Sequence, residues 1–408
     1  MALIKSITAY KSLNSRAAWT VRTRIELDDG TVASQTVPDG ASKGEAEAIS
    51  LPIEDATRHV NVDIAPALVG KDPVDQGEID DLLINLDGTP NKSVLGANAI
   101  LSVSLAIAKV AARSADIPLY EYLGSLYGGK NKLDFPTPVF NILNGGLHGK
   151  NGLSFQEFMI IPAMGFSYER KLEIGVECYN ALSSLLLKEG YSLGVGDEGG
   201  FAPAGFTVPK ALEFIAKSVK KAGYTLGDDV FLGMDVAAGS FYDQASSKYE
   251  IKEEGLSLSV EDLVSYYKDL LKQYPIIYLE DPLFENSLSG WDYCYKNLSE
   301  NTMIVGDDLV VTNPDILEKA LNPKVISGVI VKPNQIGTLT ETLTFVRKAR
   351  ENDLVVIVSH RSGETAEDKF IADLALGVGA EFVKFGAPAR GERVVKYNRL
   401  LDLYHHTS

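Results

Sequence analysis

Six apolar runs in the second half of this chain each end in residues that can do chemistry. Val230-Phe231-Leu232-Gly233-Met234 is followed by Asp235, Ile276-Ile277-Tyr278-Leu279 by Glu280, and Met303-Ile304-Val305-Gly306 by Asp307. Gly328-Val329-Ile330-Val331 is followed by Lys332, Val355-Val356-Ile357-Val358 by Ser359 and His360, and Phe382-Val383 by Lys384. One carboxylate in such a place can equally cap the next helix. Three on successive runs repel one another in a low-dielectric mouth unless a cation lies among them. All-oxygen ligands favour a hard ion, Mg2+ over Zn2+. Asp281 and Asp308, each beside a candidate ligand, are expected to support them. Lys332 either pairs with one of these acids or acts as a general base, its pKa lowered by desolvation and nearby cations.

Two loops add to this set. Gly196-Asp197-Glu198-Gly199-Gly200-Phe201-Ala202-Pro203 carries two acids among three glycines. It reads either as an ordinary turn or as a place where backbone comes close to a ligand. Acids there, opposite a lysine, suit a division of labour between proton donor and acceptor. Ser359-His360-Arg361-Ser362-Gly363-Glu364-Thr365 is expected to lead straight into a helix, whose free N–H groups would join Arg361 and Ser362 in binding phosphate or carboxylate. Lys384 adds positive charge nearby.

Elements that could position these groups follow from the rhythm itself. Apolar strands alternating with helical stretches, each strand ending in a polar residue, predict a closed β/α barrel with its site at the strand tips. Ser259-Val260-Glu261-Asp262 and Thr365-Ala366-Glu367-Asp368 read as capping boxes, the second opening a helix that stops at Gly377. Asn313-Pro314 reads as a cap with Pro in the first turn. Before the barrel, Ala18 to Leu27 alternates and Asp28-Asp29-Gly30 signals a hairpin. Pro38 to Gly44 is a small-residue loop expected to move, and helices are predicted over Ile79–Leu86 and Ala97–Ala112. Gly128 to Pro136 reads as a connector. The predicted division is an N-terminal α+β cap over residues 1–130 and a barrel over 136–408.

The chain of 408 residues, 45% hydrophobic, can build more than one core. A net charge of −16 argues against nucleic acid or an anionic membrane as partner. Two cysteines, Cys178 and Cys294, fit a reduced compartment, and with neither a signal-type N-terminus nor a membrane-length apolar run the expected place is the cytoplasm.

Several stretches together resemble the enolase (phosphopyruvate hydratase) family over nearly the whole chain. They are Gly40-Ala41-Ser42, Leu95-Gly96-Ala97-Asn98-Ala99-Ile100-Leu101, Asn144-Gly145-Gly146-Leu147-His148, Gln156-Glu157-Phe158-Met159, Gly196 to Gly200, Lys332-Pro333-Asn334-Gln335-Ile336-Gly337-Thr338, Ser359 to Thr365, and Gly386-Ala387-Pro388-Ala389-Arg390. The resemblance implies an α/β fold: an α+β cap and a modified (β/α)8 TIM-like barrel that opens with two strands and two helices. It implies dehydration of 2-phosphoglycerate to phosphoenolpyruvate by a homodimer or a higher even-numbered oligomer. It implies two Mg2+ ions per site, the first on Asp235, Glu280 and Asp307, the second held through Ser42 once substrate is bound. By the same resemblance Lys332 is the base, and Glu198 with Glu157 protonates the leaving hydroxide. Gln156, Arg361, Ser362 and Lys384 bind substrate, Lys384 at its carboxylate, while His148 and His360 line the closed site.

Departures from the family pattern lie mostly around the cap and its loops. Asn14-Ser15-Arg16-Ala17-Ala18-Trp19-Thr20 stands for Asp-Ser-Arg-Gly-Asn-Pro-Thr, Asp39 for serine and Lys43 for threonine. Gly149-Lys150 and Phe385 also depart. None removes a residue assigned to chemistry. Two other readings stay open on this ground: a paralogue acting on a related phosphorylated or phosphonylated hydroxy acid, and a non-catalytic scaffold or surface-binding protein, which predicts loss of catalytic residues that are all present.

Overall fold

The alternating N-terminal residues form a three-stranded antiparallel sheet, Ile4–Leu13, Trp19–Leu27 and Val32–Thr36, in a computed structural model that describes residues 2–41, 44–128 and 134–407. Asp28-Asp29-Gly30 makes the predicted turn, with Gly30 at φ +88°. The helix Ala97–Ser114 is buried on nearly every side because it serves two cores. Ala99, Ile100, Val103 and Ile107 pack on the sheet residues Val21, Ile25 and Leu27. Leu101, Leu105 and Ala108 face the barrel's outer core. The helix Gln76–Asp87 adds Ile79 and Leu83 to the sheet side, a helical i, i+4 pair.

All six apolar runs are strands of one nine-stranded sheet. Two more strands precede them, Phe140–Asn144 and Glu157–Pro162, and the second runs antiparallel to both its neighbours. Thr137–Pro138 lies parallel to Phe382–Lys384, and Val139 N–H donates to the Val383 carbonyl at 2.8 Å. Residues 137–144 thereby close the sheet into a barrel. Val139, Met159, Ile161, Tyr278, Val305, Ile330, Ile357 and Phe382 fill its interior, while a larger apolar layer lies between strands and helices. Two helices, Tyr168–Lys188 and Val208–Lys221, follow the opening strands before the regular alternation begins. A small hairpin sheet, Tyr242–Asp243, Lys248–Ile251 and Leu256–Leu258, interrupts that alternation.

The Ser259 capping box forms as predicted, and Asn313 caps Asp315 and Ile316. The Thr365 box does not. Its helix begins at Phe370 and runs to Gly377. Thr365 Oγ1 lies 2.9 Å from Thr36 Oγ1, and the Asp368 carboxylate accepts from Gln35 Nε2 at 2.9 Å. Both would-be capping side chains are engaged by the cap strand. Ser42, Lys43 and most of the predicted connector, residues 129–133, lie outside the described residues.

Candidate active site

Register brings the strand-tip acids side by side: Glu157 pairs with Asp235, and Asp235 with Glu280. Glu157 opens its strand, yet antiparallel pairing puts it at the same mouth. His148, Gln156, Glu157, Glu198, Asp235, Lys332, His360, Arg361, Ser362 and Lys384 line one narrow cavity, with Gly40 and Ala41 on its cap side. Glu280 and Asp307 are buried against it.

Each acid of the first wall meets an ammonium. Lys384 Nζ donates to Asp235 Oδ2 and Glu280 Oε1, both at 2.9 Å, and lies 3.4 Å from Glu157 Oε1. Lys332 Nζ donates to Asp307, whose other oxygen accepts from Gln335 Nε2 at 2.9 Å. The strand-tip acids are thus divided between two lysines. Among the described residues, the metal-type donors within 4.8 Å of one another are two other sets, Asp281 with Asp307 and Asp308, and His148 with Glu157 and Glu198. Asp281 accepts from the backbone N–H groups of Asp307 (3.0 Å) and Asp308 (2.8 Å), so it fixes the neighbouring strand tip.

The lysines do not balance this wall. Burial, then the charge on Asp235, pushes the Glu280 carboxyl up to about 8. Burial and Asp307 push Asp308 to about 7. Among the described residues, Gln156 Oε1 and Glu157 Oε2 are buried oxygens without a hydrogen-bond partner. Excess negative charge, an all-oxygen donor set and unpartnered oxygens fit a hard divalent cation. The expectation that Lys332 has a lowered pKa is corrected. Burial does oppose its charge, but pairing with Asp307 outweighs burial, Arg361 and Lys384, and the ammonium is held above its ordinary value.

The second wall is held differently. Burial pushes Glu157 well up, and Glu198 beside it adds to this. Burial also acts on Glu198, but His148 and His360 outweigh it and hold that carboxyl well down. Burial thus favours the protonated form of Glu157, while its neighbours favour the ionised form of Glu198. Asn141 Nδ2 donates to Glu198 Oε2 at 3.0 Å. His148 Nδ1 lies 3.5 Å from Glu198 Oε1, and burial lowers its pKa. Gly196 and Gly200 hold the loop against protein: an added Cβ would lie 2.6 Å from the His148 carbonyl oxygen at one and 2.6 Å from Asn144 Oδ1 at the other.

Arg361 donates to both oxygens of Glu47, at 3.0 and 3.1 Å, and Ser362 Oγ accepts from Ala41 N–H at 2.7 Å. The expected helix N-terminus beneath them is absent. Arg361 N–H donates to Glu364 Oε1, and Gly363 N–H to the Asp39 carbonyl. Sequence reasoning missed Glu47, Asn141 and Arg393. Glu47 lies in Glu45-Ala46-Glu47-Ala48, which has no pattern to mark it. Asn141, a polar residue inside the apolar run Phe140 to Leu143, carried a usable signal.

Phe385 is buried beside Tyr397, with ring centroids 5.6 Å apart, so this departure sits in the core rather than the mouth. Ala17 takes the glycine position of the first cap turn at φ +56°. No helix of the described residues is long and apolar enough to cross a membrane.

A family model described as the enolase N-terminal domain matches residues 4–123, and one described as the enolase C-terminal TIM barrel domain matches residues 132–407. A curated protein named enolase, from a Nitratiruptor species, is 44% identical over 413 aligned positions, covering 99% of this chain and 96% of that relative. With its cap, its closed barrel and the acid–lysine mouth between them, the chain belongs to the enolase family.

Proposed function

We propose that Lys332 is the base, and the Glu157–Glu198 pair the acid, in the dehydration of 2-phosphoglycerate to phosphoenolpyruvate that this enolase catalyses. The observation that supports the assignment is that Lys332, Glu157 and Glu198 line the same narrow cavity. Neutral Lys332 takes the proton from the carbon beside the substrate carboxylate. The carbon–oxygen bond at the next carbon breaks, a double bond forms between the two carbons, and the departing hydroxide takes the pair's proton and leaves as water. Removing the first proton makes a doubly charged enediolate, so positive charge must lie beside it.

Asp235, Glu280 and Asp307 would hold a divalent cation, assigned as Mg2+, which would supply that charge; Lys332, paired with Asp307 here, would then be free to act as the base. Lys384 then turns to the substrate carboxylate, with Gln156 beside it. Arg361 and Ser362 take the phosphate as Glu47 gives way. His148 and His360 wall the site against water. Ser42, assigned to a second Mg2+, would join on closure of its loop. Residues 1–130 act as the cap over the barrel of residues 136–408. The working form is assigned as a cytoplasmic homodimer or larger even-numbered oligomer.

The direct test follows the ultraviolet absorbance of the enol product from 2-phosphoglycerate and Mg2+, with a chelator control. Metal-dependent kcat/KM of about 10⁴ M⁻¹s⁻¹ or more is expected. No turnover with metal binding intact would sink the assignment and point to another phosphorylated or phosphonylated acid.

A further inference from the structure

We propose that Arg393 is a positioning residue for this reaction: its guanidinium fixes the His360 ring with the proton on Nε2, facing Glu198. The proposal rests on the assignment of Glu198 to the acid pair. Arg393 stands in the first turn of the helix Gly391–Thr407, and its side chain is fully buried. Position alone would make it a surface residue of that helix. Burying a guanidinium is costly unless its donors are met.

Its two terminal nitrogens meet the loops around the second wall, while Nε lies 3.8 Å from Glu392 Oε1 without a hydrogen bond. Nη1 donates to His360 Nδ1 at 2.6 Å and to the Arg361 carbonyl at 2.7 Å, and lies 3.0 Å from Glu364 Oε2. Nη2 donates to the Ser362 carbonyl at 2.5 Å and the Asp197 carbonyl at 3.3 Å. One rigid fork therefore ties the loop carrying His360 to the loop carrying Glu198.

The tautomer follows from the donors. A guanidinium can only donate, so Nδ1 of His360 accepts and a neutral ring keeps its proton on Nε2. That nitrogen lies 3.3 Å from Glu198 Oε1, close enough for charge to act though not aligned as a hydrogen bond in this structure. The charged groups acting on the ring are Glu198, Arg393 and Lys396, with Glu364 behind the two cations. Burial and the neighbouring cations hold the imidazole down to about 3, so it stays neutral. Space enforces the same arrangement: at Gly386, φ +88°, an added Cβ would lie 2.9 Å from His360 Cε1 and 3.1 Å from Arg393 Cδ.

Nitrogen NMR of the full-length protein, with the His360 signals assigned by loss in His360→Gln, should show a neutral ring protonated on Nε2. Arg393→Met should lose that preference. Arg393→Lys, which keeps charge but is too short for the fork, should lower kcat by about 10²-fold. It should cost little further in the His360→Gln background, because both changes remove one function. A wild-type ring protonated on Nδ1 overturns the proposal even if no variant folds. Additive losses in the cycle overturn it too. Full turnover in Glu198→Gln would sink the acid assignment instead, leaving the tautomer result standing.

Discussion

Asp235, Glu280 and Asp307 meet Lys384 and Lys332 on one wall of the mouth, whereas Glu198 and His360 on the other are held by Asn141 and the buried Arg393, with Glu157 between the two walls, 3.4 Å from Lys384. The first wall stands on adjacent parallel strand tips, where register alone brings acids together. The second draws on an antiparallel strand, two loops and a C-terminal helix. Charge sets the first wall and geometry the second. Changes to the first should therefore appear as lost chemistry or as pH-dependent stability. Changes to the second should appear chiefly as slower turnover.

The sharpest division comes from Lys332→Ala, expected to lower kcat by about 10⁴-fold with divalent-cation affinity retained. Single-site turnover and metal titration on the same sample decide it. Comparable turnover would remove the base and with it the functional meaning of the charged wall.

Stability should separate the walls next. Glu280 holds its proton up to about pH 8 in the fold, against 4.5 for an ordinary glutamate. The folded protein therefore binds the proton more tightly than the unfolded chain, and stability falls as pH rises from about 4.5 to about 8. In chelator, urea unfolding should lose on the order of a few kcal/mol across that window. Glu280→Gln should reduce the slope, leaving the parts from Asp308, Asp281 and Glu157, which shift the same way. Mg2+ should restore the wild-type loss at pH 8 by binding only the folded form. A flat wild-type profile in chelator would mean that the lysines already balance this wall.

The same contrast decides what was legible in the sequence. A parallel barrel strand buried on both faces reads as an apolar run, and its polar end is the mouth, so Asp235, Glu280, Asp307, Lys332 and Lys384 stand out from one chain alone. Glu157 defeats that rule because its strand runs the other way and the acid comes first. Arg393 defeats it because burial there is decided by a loop more than thirty residues away, not by helical period. Thr365 misled for a related reason: its local capping signal is real, but tertiary contacts with Thr36 and Gln35 take both side chains, and the helix waits until Phe370. The resemblance supplied Glu157, Gln156 and the opening strands, which periodicity alone did not.

A smaller effect tests the hydrogen-bonded wall directly. Asn141→Ala removes the donor at 3.0 Å from Glu198 Oε2. A hydrogen bond to a charged group is worth about 1.5–3 kcal/mol, so kcat should fall by roughly 10- to 100-fold. Unfolding in chelator should keep the wild-type slope with pH, because the titrating Glu280 is untouched. A changed slope would mean that the walls share their charge.

The weakest link is the one between this wall and the cap. Arg16 Nε donates to Asp197 Oδ2 at 3.1 Å, and Ser15 Oγ donates to the Ser362 carbonyl at 3.1 Å. The cap turn thus touches both loops of the hydrogen-bonded wall and neither lysine of the charged one. The Arg16–Asp197 pair is about a third exposed at each side chain, 30% and 31%. Such pairs are worth about 0.2–1 kcal/mol. Arg16→Ala should therefore change kcat/KM by less than about fivefold, chiefly through KM, and more weakly at high salt. A loss of 100-fold or more would show that the cap sets the second wall's geometry through this one pair. The wall's precision would then lie across the cap–barrel junction rather than in Arg393.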